Sequence, residues 1–151
     1  MNDRPTYDLD HICLAVRKIA PAREKLAKLF GYEPRTEPVE NTRQQVIVQF
    51  LRKPGSIDIK LIEPSSMESP LVEFLKRSGG GLHHLAMKTE SVGDAVRDLE
   101  SKGARILAGP QPGEAFDEAD IAFAPGKPLD GYVRGDVADP FGNRIELMQK
   151  V

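Results

Sequence analysis

The sequence predicts an α+β fold: two tandem β-α-β-β-β modules forming a cupped mixed sheet around a central site. Three observations predict it. Strand-period and helix-period segments come in the same order in each half of the 151-residue chain. Both pairs of outer strands align. His11-Ile-Cys-Leu-Ala lies on His84-Leu-Ala-Met-Lys, and Ile57-Asp-Ile-Lys-Leu-Ile lies on Asn143-Arg-Ile-Glu-Leu-Met. A glycine run, Gly79–Gly81, marks the joint between the halves.

Tyr7–Val16 ends in alternating, β-favouring residues and predicts the first strand. Ile19–Phe30 carries Ala22, Leu26, Leu29 and Phe30 at helical spacing, and Gly31 stops it. Tyr32–Arg35 is a short extended piece. Arg43–Leu51 and Ile57–Ile62 are strands on either side of the Pro54-Gly55-Ser56 turn signal. Ser69-Pro70 starts a helix, because a proline at the first helical position gives up no needed N–H. In the second half, Leu82–Thr89 is a strand and Ser91–Lys102 an amphipathic helix stopped by Gly103. Arg105–Ala108, Tyr132–Ala138 and Asn143–Gln149 are strands, the last two around an Asp139-Pro-Phe-Gly turn. Gly109–Asp130 has no clear period; it holds either a hidden strand near Asp120–Ala124 or a lid. The expected organisation is one domain over residues 1–151. Module one covers about 7–64, a connecting helix about 65–80, and module two about 82–149.

Hydrophobic residues are 40% and charged residues 29%, the balance of a soluble globular chain. Lys+Arg number 21 and Asp+Glu 23, which argues against a nucleic-acid partner, since such partners need a basic surface. No apolar run is long enough to span a membrane. The polar stretch Met1–Asp10 reads as no secretory leader, and the single cysteine, Cys13, excludes an intramolecular disulfide. The expected location is the cytoplasm. Arg52-Lys53 and Lys76-Arg77 read as solvated surface charge, and so does the acidic run Glu114–Asp120.

The repeat has a chemical consequence. Side chains two apart share a strand face. His11 then points the same way as Cys13 and Ala15, and His84 the same way as Ala86. Lys60 and Glu146 occupy matching places on the closing strands. A pseudo-two-fold brings these four positions to one place. Two imidazoles and a carboxylate are the donor set that binds a first-row divalent ion with open positions. A histidine taken alone on a strand is ordinarily a hydrogen-bonded core residue; the repeated His84 and the strand-borne Glu146 shift that balance. The rival is a site without metal, in which the Lys60 ammonium neutralises Glu146. Cys13 reads as a small buried hydrophobe.

With these residues the chain resembles the vicinal oxygen chelate superfamily of glyoxalase I, methylmalonyl-CoA epimerases, extradiol dioxygenases and bleomycin-resistance proteins. The resemblance runs from Asp8 to Gln149. Its carriers are Asp10-His-Ile-Cys-Leu-Ala-Val, Leu61-Ile-Glu-Pro, Ser69-Pro-Leu-Val-Glu-Phe-Leu, Gly80-Gly-Leu-His-His-Leu-Ala and Asp139-Pro-Phe-Gly-Asn-Arg-Ile-Glu-Leu. Leu61 to Ala86 is most similar to the epimerases. The resemblance implies that His11, His84 and Glu146 are ligands of a divalent metal ion (Zn, Co, Mn, Ni or Fe), with His83 pointing away. It implies a small-molecule substrate, with neither nucleic acid nor membrane as partner, and a homodimer. The implied activity is a metal-dependent lyase or isomerase of the glyoxalase or methylmalonyl-CoA epimerase type. Such an enzyme stabilises an enolate-like intermediate of a carbonyl or CoA-thioester substrate, with Glu146 and Lys60 as catalytic groups. The alternatives are an extradiol-type iron dioxygenase and a metal-free module that sequesters a small molecule.

Two positions depart from the family pattern. The fourth ligand is usually Gln or Glu, and here it is Lys60, whose ammonium has no lone pair to give. The strand that carries a second carboxylate base in epimerases has Val48 there, flanked by Gln49.

Overall fold

The computed structural model describes residues 4–112, 132–138 and 143–150. By their contacts these fall into two compact units. One is 11–83; the other is 4–10 with 84–112, 132–138 and 143–150.

The first unit contains the strand β1 (Asp8–Ala15), of which residues 11–15 belong to it, and the helix α1 (Ile19–Phe30). Next come β2 (Glu33–Pro34), β3 (Val39–Asn41), β4 (Val46–Arg52), β5 (Asp58–Pro64) and the helix α2 (Pro70–Ser78). Its strands lie in the order β2-β4-β5-β1, with β3 beside β4. β1 and β5 are parallel, β4 and β5 antiparallel. α1 ends as the sequence expects, with Gly31 in the left-handed region at φ 76°, its N–H on the Ala27 carbonyl and the Tyr32 N–H on the Leu26 carbonyl. α2 starts at the expected place too: the Ser69 side chain accepts from the Leu71 N–H, and Pro70 follows.

Alternation splits this sheet into two faces. Ile12, Leu14, Leu51, Ile59 and Leu61 turn toward α1 and pack with Ile19, Tyr32 and Leu26. Gln49 shares that side: its Oε1 accepts from Arg23 on α1 at 2.9 Å, and its Nε2 donates to the Thr36 carbonyl. The opposite face carries His11, Cys13 and Ala15 of β1, Lys60 and Ile62 of β5, and Val48 and Phe50 of β4. The register sets these side by side: Cys13 beside Lys60, Phe50 beside Lys60, Val48 beside Ile62.

The second unit contains β6 (Gly81–Lys88), the helix α3 (Val92–Ser101), β7 (Arg105–Pro112), β8 (Tyr132–Ala138) and β9 (Arg144–Lys150). The strand order is β6-β9-β8-β7, with β6 and β9 parallel and the rest antiparallel. α3 buries Val92 and Ala95 against Val137 and Leu147, with Tyr7, Val96, Leu99 and Ile145 around them. Tyr7 donates to Asp98 at 2.7 Å, which ties the N-terminal segment to α3.

Each half therefore has the β-α-β-β-β order expected of it, with three differences. Arg43–Gln45 is not strand. It belongs to the turn between β3 and β4, where the Gln44 N–H donates to the Asn41 side chain and Gln45 takes φ 54°. The short β3 had no signal of its own, being three residues with a proline before them. β7 runs on past Ala108 to Pro112, two register shifts absorbing the irregular sequence. The expected hidden strand or lid after Pro112, the Asp139–Gly142 turn and the acidic run Glu114–Asp120 lie outside the described residues.

Gly80 is required by the joint. Its φ is 107°, and a Cβ there would stand 2.9 Å from the Ala15 carbonyl oxygen.

Candidate metal centre

In the second unit, His84 and Glu146 are both buried, on neighbouring parallel strands. His84 Nε2 and Glu146 Oε2 stand 3.6 Å apart. That is too long for a hydrogen bond. It is close to the ~3.3 Å that separates two ligands each about 2.0–2.1 Å from one tetrahedral ion. The donor chemistry of the pair thus fits a divalent cation. The His83 ring stands edge-on to Phe74 of α2, centroids 4.8 Å apart. Of the two adjacent histidines, the second is the one beside the carboxylate.

Asp136 of β8 lies directly opposite Glu146 in the register, on the same face, and is fully buried. Its Oδ2 accepts from Arg144 Nη2 at 2.9 Å. The sequence reading missed it. Its place depends on the β8–β9 register, in which Ala138 pairs with Arg144 and Asp136 with Glu146.

In the first unit, His11 is fully buried and meets the Phe50 ring edge-on, centroids 5.1 Å apart. Lys60 is 2% exposed, with its ammonium 5.8 Å from the centre of the same ring. Arg35 lies over Phe50 at 4.9 Å and pairs with Asp58 at 3.1 Å. Arg35 and Asp58 were also missed, since neither repeats in the other half. Val48 is buried on the His11 face, so the place of the second carboxylate is apolar in fact as well as in sequence. Cys13 is a fully buried thiol on that face, as expected of a small hydrophobe. Arg52, Lys53, Lys76 and Arg77 are exposed, and Lys76 pairs only weakly with Glu73, at 3.5 Å. No described helix is long and apolar enough to cross a membrane.

Residues 10–123 match the model of the Glyoxalase/Bleomycin resistance protein/Dioxygenase superfamily, and the chain belongs to that superfamily. His11, Lys60 and His84 lie inside the matched stretch and Glu146 beyond it. Within the superfamily, its relatives include methylmalonyl-CoA epimerases. The chain is 34% identical over 122 residues to the mitochondrial methylmalonyl-CoA epimerase of Bos taurus, across 80% of this chain and 63% of that protein. It is 34% identical over 100 residues to the uncharacterized protein YqjC of Bacillus subtilis, across 66% of this chain and 69% of that one. The crystal structure of methylmalonyl-CoA epimerase from Mycobacterium tuberculosis superposes with a TM-score of 0.75 at 24% identity, over 95% of this chain and 87% of that chain. This likeness shows the fold.

Proposed function

We propose that the chain is a metal-dependent isomerase of the methylmalonyl-CoA epimerase type, acting on a CoA thioester through an enolate-like intermediate. His11, His84 and Glu146 hold the ion. The observation that carries the proposal is the buried His84–Glu146 pair at 3.6 Å, repeated in the first half by a buried His11 and Lys60 at the equivalent places. A bound divalent ion supplies Lewis acidity where negative charge develops on the thioester oxygen. The protein's own groups do the rest. The apolar surroundings of Val48, Phe50 and Ile62 keep water from the reacting carbon. Glu146 and Lys60 carry protons, one in each half, in place of the carboxylate that Val48 lacks. As an ammonium, Lys60 cannot ligate the ion, since that form offers donors only. A homodimer is part of the same proposal.

The test is elemental analysis of protein purified without added metal, followed by α-proton exchange of methylmalonyl-CoA in heavy water. The expected result is about one Zn, Co, Mn or Ni per chain and exchange that stops when a chelator removes it. Lys60→Gln should keep the metal and lose exchange. Ferrous iron with oxygen uptake would instead point to a dioxygenase. The buried Lys60 ammonium favours a second reading, a metal-free sequestering module. Protein that takes up no metal at any loading, with ligand binding unchanged by His11→Ala, would establish that one.

A further inference from the structure

Asp136 is a fully buried carboxyl group with no task in the reaction proposed above. It stands directly across from Glu146 in the β8–β9 register. Side chains so placed have Cβ atoms roughly 4.5–5.5 Å apart, and like charges there oppose each other. Arg144 offsets part of this through its 2.9 Å bond to Asp136 Oδ2. The other half has no such arrangement. There the residue opposite the closing-strand position is Phe50, a neutral ring that packs against His11.

We propose that Asp136, held by Arg144, is a positioning residue for the metal centre: it stays outside the ligand set and strengthens Glu146 as a ligand. The inference rests on the metal reading above. Charge on β8 next to Glu146 disfavours any rotamer that brings the two carboxylates together, so Glu146 is kept toward His84. The same charge lowers the potential where a cation would sit, and Arg144 moderates it. Outer carboxylates of this kind commonly set ligand orientation and affinity.

The experiment is titration with cobalt(II) against a competing chelator, with the visible spectrum of bound cobalt recorded. Wild type, Asp136→Asn, Asp136→Glu and Arg144→Met are compared. Asp136→Asn should bind cobalt(II) about 10–100-fold more weakly with an unchanged spectrum, because no ligand is lost. Asp136→Glu should recover part of the affinity. Arg144→Met should bind several-fold more tightly, the opposite sign to that of a merely structural role. Asp136→Asn within about twofold of wild type, or both neutral variants weakening alike, would overturn the inference while leaving the metal reading in place. A changed cobalt spectrum in Asp136→Asn would overturn it as well, by making Asp136 a ligand. Should Asp136→Asn fail to fold, Arg144→Met decides alone: tighter binding supports the inference and weaker binding defeats it. A wild type with no affinity for cobalt(II) would defeat both this inference and the metal reading beneath it.

Discussion

The two halves share a plan and differ in where they keep charge. Each opens with a strand bearing a buried histidine, and each has its closing strand beside that one. Around His11 the first half sets Val48, Phe50 and Ile62, with one buried cation, Lys60. Around His84 the second half sets Glu146 and Asp136, with Arg144 reaching in from a half-exposed position. The difference shows that a duplicated scaffold need not duplicate its chemistry. Backbone pairing and the helix-facing core are preserved in both copies. The two residues that project beside the histidine are free to diverge, because no core packing depends on their sharing a type.

The largest effect that could break this comparison is expected at Phe50. If the first half relies on packing, Phe50→Ala should cost about 3–5 kcal/mol in denaturant unfolding. A loss near zero would remove the contrast. Next comes Glu146→Ala, expected to weaken divalent-metal binding by more than the ~100-fold that marks the upper range for an outer residue. Isothermal titration measures it. His11→Ala should do the same, and a wild-type affinity in that variant would leave the second half binding metal alone.

Gly80→Ala should be smaller, about 1–3 kcal/mol in thermal unfolding. It combines a positive φ with a 2.9 Å approach to the Ala15 carbonyl. The smallest effect concerns the tie between Tyr7 and α3. Hydrogen bonds from Lys102 and then Tyr7 hold the Asp98 carboxyl below its usual range. A lowered folded-state pKa gives stability that is present above the unfolded carboxylate range, roughly pH 4, and is lost as pH falls from there through the lowered folded-state value. Asp98→Asn should therefore flatten the acid limb of a stability–pH profile. Burial, and then the bond to Asp98, pushes the Tyr7 hydroxyl up from its ordinary value. Its contribution is complete below about pH 10 and fades above. Tyr7→Phe should flatten the alkaline limb instead.

Much of the fold could be read directly. The helix α1 falls on Ile19–Phe30 as expected, because its apolar spacing and Gly31 are local signals. The Ser69-Pro70 start of α2 and the Ser91 cap of α3 are local as well. β3 could not be read, since three residues carry no period and exist as a strand only because β4 pairs with them. The extension of β7 through Gly109–Pro112 likewise depends on β8 to supply its hydrogen bonds. The buried strand positions of His11, His84, Glu146 and Lys60 were legible through the repeat. Arg35, Asp58 and Asp136 were not, because each is set in place by a register between strands rather than by a pattern along one of them.

By itself the sequence determined the order of the elements, the duplication and the substitution of Lys60 and Val48 in the family pattern. These follow from short-range spacing, and short-range spacing is written along the chain. Only the tertiary structure decided that Val48 rather than Gln49 turns to the His11 face, that His84 Nε2 stands 3.6 Å from Glu146, and that Asp136 is buried opposite it. A one-residue change of register would move every one of those side chains to the other face, and register is set between strands far apart in sequence.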